Sequence, residues 1–393
     1  MGNIPLTIKV KFASDVVAAG HAIDSGVVAA TTRTREKYWK HWCGYTKSVN
    51  IDPLLSTTDP LIRDLVLTAF AARVRSGHYG RGNKIRVQGV TDALSAISKT
   101  IELAGYKSPV YRSPNTYNLQ IQRCIEGFRR EDPPAVPQLA LPVTVPLHMA
   151  EQAYATGTPT NNNQDQAIAD LSVIAFFYLL RVGEYTAPRV ASQNGRTVRA
   201  TRTVQFTVGN IGFFRNGKIL SRKSPLATLL KAAQCTLKIT NQKNGRMGET
   251  ISHETVKNET HGPVTAAARR VHHILSNGGT EKNLLSDYMD ENGTWHTITA
   301  AQMRAGVREC VKDLDLHRNG IDVDLIGVHS LRAGGAMALK LQGVSDTIIQ
   351  KQGRWTSMTF LQYIHNQIAY LTKDLSTKMH TKLTFYNIAN IEK

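Results

Sequence analysis

Acidic residues are scarce in this chain. Its 393 residues include 30 Asp and Glu against 48 Lys and Arg, a formal net charge of +18. So basic a balance disfavours an ordinary small-molecule enzyme and points to a polyanionic partner, nucleic acid first. Cysteine is rare as well. Cys43, Cys124, Cys235 and Cys310 stand far apart, with neither metal-ligand spacing nor the density of a disulfide framework. A stapled secreted domain is excluded, and a reducing, intracellular compartment fits. Long apolar runs are also missing. The most apolar stretch, LSVIAFFYLL at 171–180, is too short to span a bilayer. No signal peptide is expected, because no basic start leads into an apolar core. No polybasic run flanks an apolar segment, which argues against a membrane surface. Met1-Gly2 lacks the Ser or Thr at position 6 that myristoylation needs. Internal repeats, long low-complexity tracts and a nuclear-localisation run are absent too. What is left is globular, with 41% hydrophobic and 20% charged residues, and the length suits two or three domains.

Proline marks the division. Five of the fourteen prolines fall between Pro133 and Pro146. Proline fixes φ and disfavours helix in the residue before it, so 131–147 is expected to be an extended linker. The expected organisation is an N-terminal tail over 1–30, a helical DNA-binding domain over 31–130, the linker, and a larger domain over 148–393. In the first domain four helices are expected. One carries Tyr38, Trp39, Trp42 and Tyr45 on one face, an aromatic stripe read as core packing. The others fall at 60–77 with a cap at Gly77, at 85–105 ending at Gly105, and at 116–132. Arg73, Arg75, Arg81, Lys84 and Arg86 cluster around the loop after the second of these. As a group they suit phosphate contact, which dominates the affinity of nucleic-acid binders.

In the larger domain, QAIADLSVIAFFYLLRVGEY is apolar nearly all round and predicts a buried helix. Arg215-Asn216-Gly217 is a turn signal between strands, and 235–253 is a second hairpin candidate with its turn at KNGRMG. Helices are expected at 263–275, 298–314 and from His329 to a stop at Gly343. A further short helix is capped by Ser345 and Gly353, and a last helix carries Tyr363. The fold class is mainly α with a small antiparallel β-sheet.

Several residue types in this domain suit phosphodiester chemistry. Arg181 closes a buried apolar run, and a guanidinium there needs a partner. Glu184 is three residues on and faces it if the segment is helical. Alone, RVGE is a helix-end ion pair. His329 and Arg332, in HSLR, share one face at a helix start, and helix N-termini favour anions. The pair Gly334-Gly335 weakens that helix, which suggests close backbone or ligand approach. Trp355 and Tyr363 taken singly are ordinary core residues. Guanidinium, imidazole and indole N–H groups can hold phosphate oxygens, and a phenol can attack phosphorus.

With Arg181–Glu184, HSLR, GRW and QYIH in this order, residues 165–375 resemble the tyrosine recombinase (phage integrase) family. The surroundings of GRW look more like eukaryotic mobile-element recombinases of the Crypton and DIRS type than like bacterial integrases. The resemblance implies a helical core-binding domain followed by an integrase-like catalytic domain. It implies Tyr363 as the nucleophile that forms a 3′-phosphotyrosyl link, and Arg181, Arg332 and Trp355 as ligands of the non-bridging oxygens. His329 would assist proton transfer and Glu184 would support the site. A hairpin lysine would protonate the leaving oxygen. Lys243 is the candidate for it, with Lys238 and Lys223 as alternatives. Also implied are double-stranded DNA as partner, a homotetramer on two DNA sites, no membrane, no metal and no cofactor, and a nuclear location if the source is eukaryotic. A catalytically inactive DNA-binding descendant and a type IB topoisomerase-like enzyme are the alternatives.

Overall fold

The computed structural model describes residues 5–134, 139–155, 163–193, 196–239, 248–257, 259–319, 321–357 and 361. The described chain is mainly helical, with short antiparallel sheets. It divides into two compact units, residues 1–135 with 190–201, and residues 136–189 with 202–393.

The first unit begins with α1 (Leu6–Ser25), within the stretch expected as a tail; its Ile8, Phe12, Val16 and Ile23 are exposed. The core belongs to α2 (Ala29–Ser48), α3 (Pro60–Arg75), α4 (Val87–Leu103) and α5 (Leu119–Glu131). Asp59 starts α3 by accepting from the backbone N–H of Leu61, with Pro60 in the first turn where its missing N–H costs nothing. The aromatic stripe of α2 turns inward. Trp42 is fully buried, donates its indole N–H to the Pro53 carbonyl at 2.8 Å, and meets Phe70 edge-on. Leu67, Val90, Leu94, Ile97 and Ile121 complete the core. A small hairpin, β1 (Tyr111–Ser113) with β2 (Thr116–Tyr117), precedes α5. A second hairpin, β3 (Val190–Gln193) with β4 (Arg196–Arg199), clusters with this unit.

In the second unit α6 spans Thr144–Tyr154, so the end of the proline-rich stretch is helical rather than extended. Pro146 is tolerated because it stands in the first turn, where no N–H has a helical acceptor. The central element is α7 (Asn163–Phe177), buried throughout from Ala167 to Phe176. The continuous helix expected through Tyr185 does not form. The chain breaks after Phe177, with Leu179 in the left-handed region at φ 48, and resumes as the single turn α8 (Val182–Tyr185). The Leu180 N–H closes back onto the Ala175 carbonyl at 3.0 Å. This closure satisfies the helix end as a capping motif does.

A four-stranded antiparallel sheet follows, with strand order β6-β5-β7-β8. Its strands are β5 (Ile211–Arg215), β6 (Lys218–Leu220), β7 (Gln234–Lys238) and β8 (Thr250–Glu254), with the short helix α9 (Leu226–Leu229) between β6 and β7. Asn216 and Gly217 both have positive φ, the tight turn that Arg-Asn-Gly predicts. Leu237 pairs with Ile251, and Cys235 with His253. Around α7 lie α10 (Pro263–Ser276), α11 (Ala300–Asp313) and α12 (His329–Leu341). Thr299 caps α11 in a reciprocal box with Gln302. The small ribbon β9 (Asp287–Met289) with β10 (Trp295–Thr297) lies between α10 and α11 in sequence. The last described helix is α13 (Asp346–Gly353). Among the described residues no helix is long and apolar enough to cross a membrane.

Candidate active site

The break between α7 and α8 builds one wall of the site. It leaves the Leu179 carbonyl outside any helix and puts Arg181 at the N-cap of α8. Glu184, three residues on, is fully buried and bends back to Arg181. One carboxylate oxygen accepts from the Arg181 backbone N–H at 2.9 Å, and the other accepts from its guanidinium at 3.1 Å. The Arg181 side chain keeps 20% of its surface exposed.

The opposite wall is the start of α12. His329 is its first residue and Arg332 lies one turn on. The two glycines that follow answer a packing demand. A Cβ on Gly334 would collide with the Leu141 carbonyl, and one on Gly335 with the Phe176 carbonyl. The glycines therefore bring α12 against the backbone at Leu141 and at the α7 end, and no ligand is needed to explain them. Arg332 is buried, and its guanidinium donates to the carbonyls of Leu179 and Gly353. Half-buried His329 has its Nδ1 without a hydrogen-bond partner among the described residues. Burial, and then the charges of Arg332 and Arg181, hold its pKa below the ordinary value, so the imidazole is neutral near pH 7.

The end of α13 closes the site. Trp355 is 6% exposed and lays its ring over the Arg332 guanidinium, 4.2 Å from centroid to Cζ. The expected cap at Gly353 is displaced by one residue. The left-handed residue that ends α13 is Arg354, at φ 58 and ψ 38. Gly353 serves a different need, because a Cβ there would fall inside the Trp355 ring. A non-glycine residue in the left-handed region costs about 1–2 kcal/mol, so something must hold Arg354 there. It is buried, and it donates to the Leu179 carbonyl at 2.9 Å and to Glu184 at 3.1 Å. Burial lowers its pKa and the charge of Glu184 opposes that fall. The charge of Arg181 lowers it as well, and that of exposed Glu249 raises it.

Arg181, Glu184, His329, Arg332 and Trp355 thus come together. Arg354 belongs to the same group and was not foreseen, because its partners Glu184 and Leu179 are remote in sequence. His253 on β8 was missed too. Its ring hydrogen-bonds Gln352 of α13 at 2.9 Å, and burial pushes its pKa down to about 4. Lys243 and Tyr363 lie outside the described residues. Lys238, at the end of β7, and Lys223 are exposed.

In the first unit the basic cluster splits. Arg73, Arg81, Lys84 and Arg86 are exposed, whereas Arg75 is 4% exposed. The Arg75 guanidinium donates to Asp132 and to the carbonyls of Ile85 and Phe128. It staples the 76–86 loop to the end of α5, so this arginine is not a surface donor. Asp132 also accepts from the Val87 backbone N–H at 2.8 Å, the main cause of its lowered pKa. Lys84 pairs with Glu131 at 2.8 Å.

No family model and no curated protein matches the chain. Solved structures do. The chain is similar to the XerA recombinase, at 13% identity and TM-score 0.35 over 90% of this chain and 100% of that one. It is also similar to the XerH site-specific recombinase bound to a palindromic difH substrate, at 14% identity and TM-score 0.47 over 85% and 76%. A third is the Tn1549 transposon integrase in complex with transposon right end DNA, at 12% identity and TM-score 0.41 over 80% and 84%.

Proposed function

We propose that this protein is a site-specific DNA recombinase of the tyrosine type, which cuts and rejoins strands through Tyr363. The observation that carries this is the convergence of three guanidiniums and the start of α12 around Glu184 and the Leu179 carbonyl. Guanidinium donors and a helix N-terminus suit a phosphodiester. In the proposed step the Tyr363 phenol attacks phosphorus, a P–O bond to tyrosine forms and the bond to the 5′-oxygen breaks. Neutral His329 takes the phenolic proton, and Lys243 gives a proton to the leaving oxygen. The phosphotyrosyl link keeps the bond energy, so rejoining is the reverse attack by a 5′-hydroxyl. Arg181 and Arg332 stabilise the charge that builds on the non-bridging oxygens. Trp355 orients Arg332 by stacking and offers its indole N–H. Arg73, Arg81, Lys84 and Arg86 grip the backbone of double-stranded DNA. The working unit is a homotetramer on two sites, and the element that encodes it is of the eukaryotic mobile type.

The test is incubation of the full chain with nicked duplexes carrying its target. Denaturation-resistant protein–DNA adducts are expected, and they should vanish in Tyr363→Phe. Absence of adducts across a library of candidate sites would sink the proposal.

A further inference from the structure

We propose that Arg354 is a positioning residue, which aims Arg181 at the substrate by locking the Glu184 carboxylate. The inference rests on the strand-cleavage reading above. Glu184 has two oxygens and both are engaged. Oε1 accepts from the Arg181 guanidinium at 3.1 Å, and Oε2 accepts from the Arg181 backbone at 2.9 Å and from Arg354 at 3.1 Å. The carboxylate plane is therefore set by Arg354 on one side, and the Arg181 fork is set by that plane on the other. Arg354 also donates to the Leu179 carbonyl, which accepts from Arg332 as well. One buried side chain thereby ties the α7–α8 wall to the end of α13, at the carbonyl that Arg332 of α12 also uses.

Two features show that this placement is specific. The helix end at 354 asks for a left-handed residue, which glycine would supply without strain, yet arginine stands there. Glycine stands instead at 353, where the Trp355 ring occupies the place of a Cβ. The tripeptide Gly353-Arg354-Trp355 thus turns one guanidinium inward and lays one ring on Arg332 in consecutive residues. Arg354 is ion-paired with the buried carboxylate of Glu184, whereas the equally buried Arg332 has carbonyls as its named acceptors, so Arg354 is assigned to act through Glu184 rather than on the substrate.

The experiment is single-turnover cleavage of a nicked duplex by the full chain at saturating protein, with DNA affinity and Tm measured beside it. Both bonds leave one terminal nitrogen of Arg354. Lysine keeps the charge but ends one bond short of that nitrogen and lacks the planar group that fixes its direction. Arg354→Lys should slow adduct formation about 100-fold, the cost of a misplacement near 1 Å, with affinity and Tm close to wild type. Glu184→Gln should lose a similar factor, and the double variant no more than either single one, because all three break one relay. Multiplicative losses, or an undiminished rate in Arg354→Lys, would overturn the inference. So would parallel falls in rate, affinity and Tm, which mark a merely structural residue. If wild type itself forms no adduct, the cleavage reading fails first and takes this inference with it.

Discussion

Each unit buries an arginine among carboxylates and carbonyls, and the two solve the problem with opposite charge balance. Around Arg75 one buried guanidinium meets Asp132, with Glu131 and its partner Lys84 at the rim. Every cation in that cluster has an acid of its own. Around Glu184 the ratio is inverted, with Arg181 and Arg354 on one buried carboxylate and Arg332 on the carbonyl that Arg354 also uses. The first cluster is closed and stabilises a loop. The second gathers three guanidiniums about one buried carboxylate beside the start of a helix, a balance that suits the anion of the proposed function. Arginine content alone therefore does not separate the two clusters. The number of buried acids per guanidinium does.

This comparison can be broken most sharply by paired substitutions. Arg332→Lys should lower the adduct rate about 10²-fold, the lower range for removing one transition-state donor, while Tm changes less than in Arg75→Ala, since lysine keeps the charge and most of the buried volume. Arg75→Ala should do the reverse. It leaves Asp132 without its guanidinium and the loop unstapled, so Tm should fall by about 10 °C, with the adduct rate per folded molecule unchanged. Calorimetry and single-turnover cleavage on both variants check this, and equal Tm losses would erase the distinction.

A smaller effect separates the exposed basic residues from the buried one. Arg81→Ala should reduce the slope of log affinity against log salt by about 1, as expected for one lost phosphate contact. Lys84→Ala should reduce it less, because Glu131 already holds Lys84. Titrations of DNA binding at several salt concentrations measure this. An unchanged slope in Arg81→Ala would remove the 76–86 loop from the DNA interface.

Most helices were legible because their signals are local. Gly77, Gly105 and Gly343 all take the positive φ that ends a helix, and Asn216-Gly217 turns its hairpin. What failed was decided by packing. The break after Phe177 carries no glycine or proline, and Leu179 adopts φ 48 there. The apolar run reads as one helix, since periodicity is blind to a left-handed leucine. Arg75 was misread for a related reason. Its sequence neighbours are basic and exposed, while its acid partner lies at Asp132 beyond two intervening helices. In the candidate site Arg181 with Glu184 and His329 with Arg332 were readable, because each motif pairs residues within one turn. Trp355 was read from the resemblance, since its contact, Arg332, is remote in sequence. Arg354 was not read at all, because its partners Glu184 and Leu179 are remote in sequence.

A third arginine–carboxylate pair gives the finest test. Asp170 is fully buried on α7, accepts from the Tyr154 hydroxyl at 2.6 Å, and lies 3.6 Å from Arg269. Here burial outweighs the arginine and raises the carboxyl to about 7. The folded state therefore holds this proton more tightly than the unfolded chain, whose carboxyl titrates near 3.8. The stability it contributes is fully present below the unfolded value and is lost as pH rises through about 7. Asp170→Asn cannot titrate, so its stability relative to wild type should climb between pH 5 and pH 8, by on the order of a few kcal/mol at most. Urea unfolding of both proteins across that range measures the difference, and any constant offset from the altered hydrogen bond cancels. A difference that stays flat would mean that Arg269 keeps Asp170 ionised, as Arg75 helps to do for Asp132, and that all three pairs obey one rule.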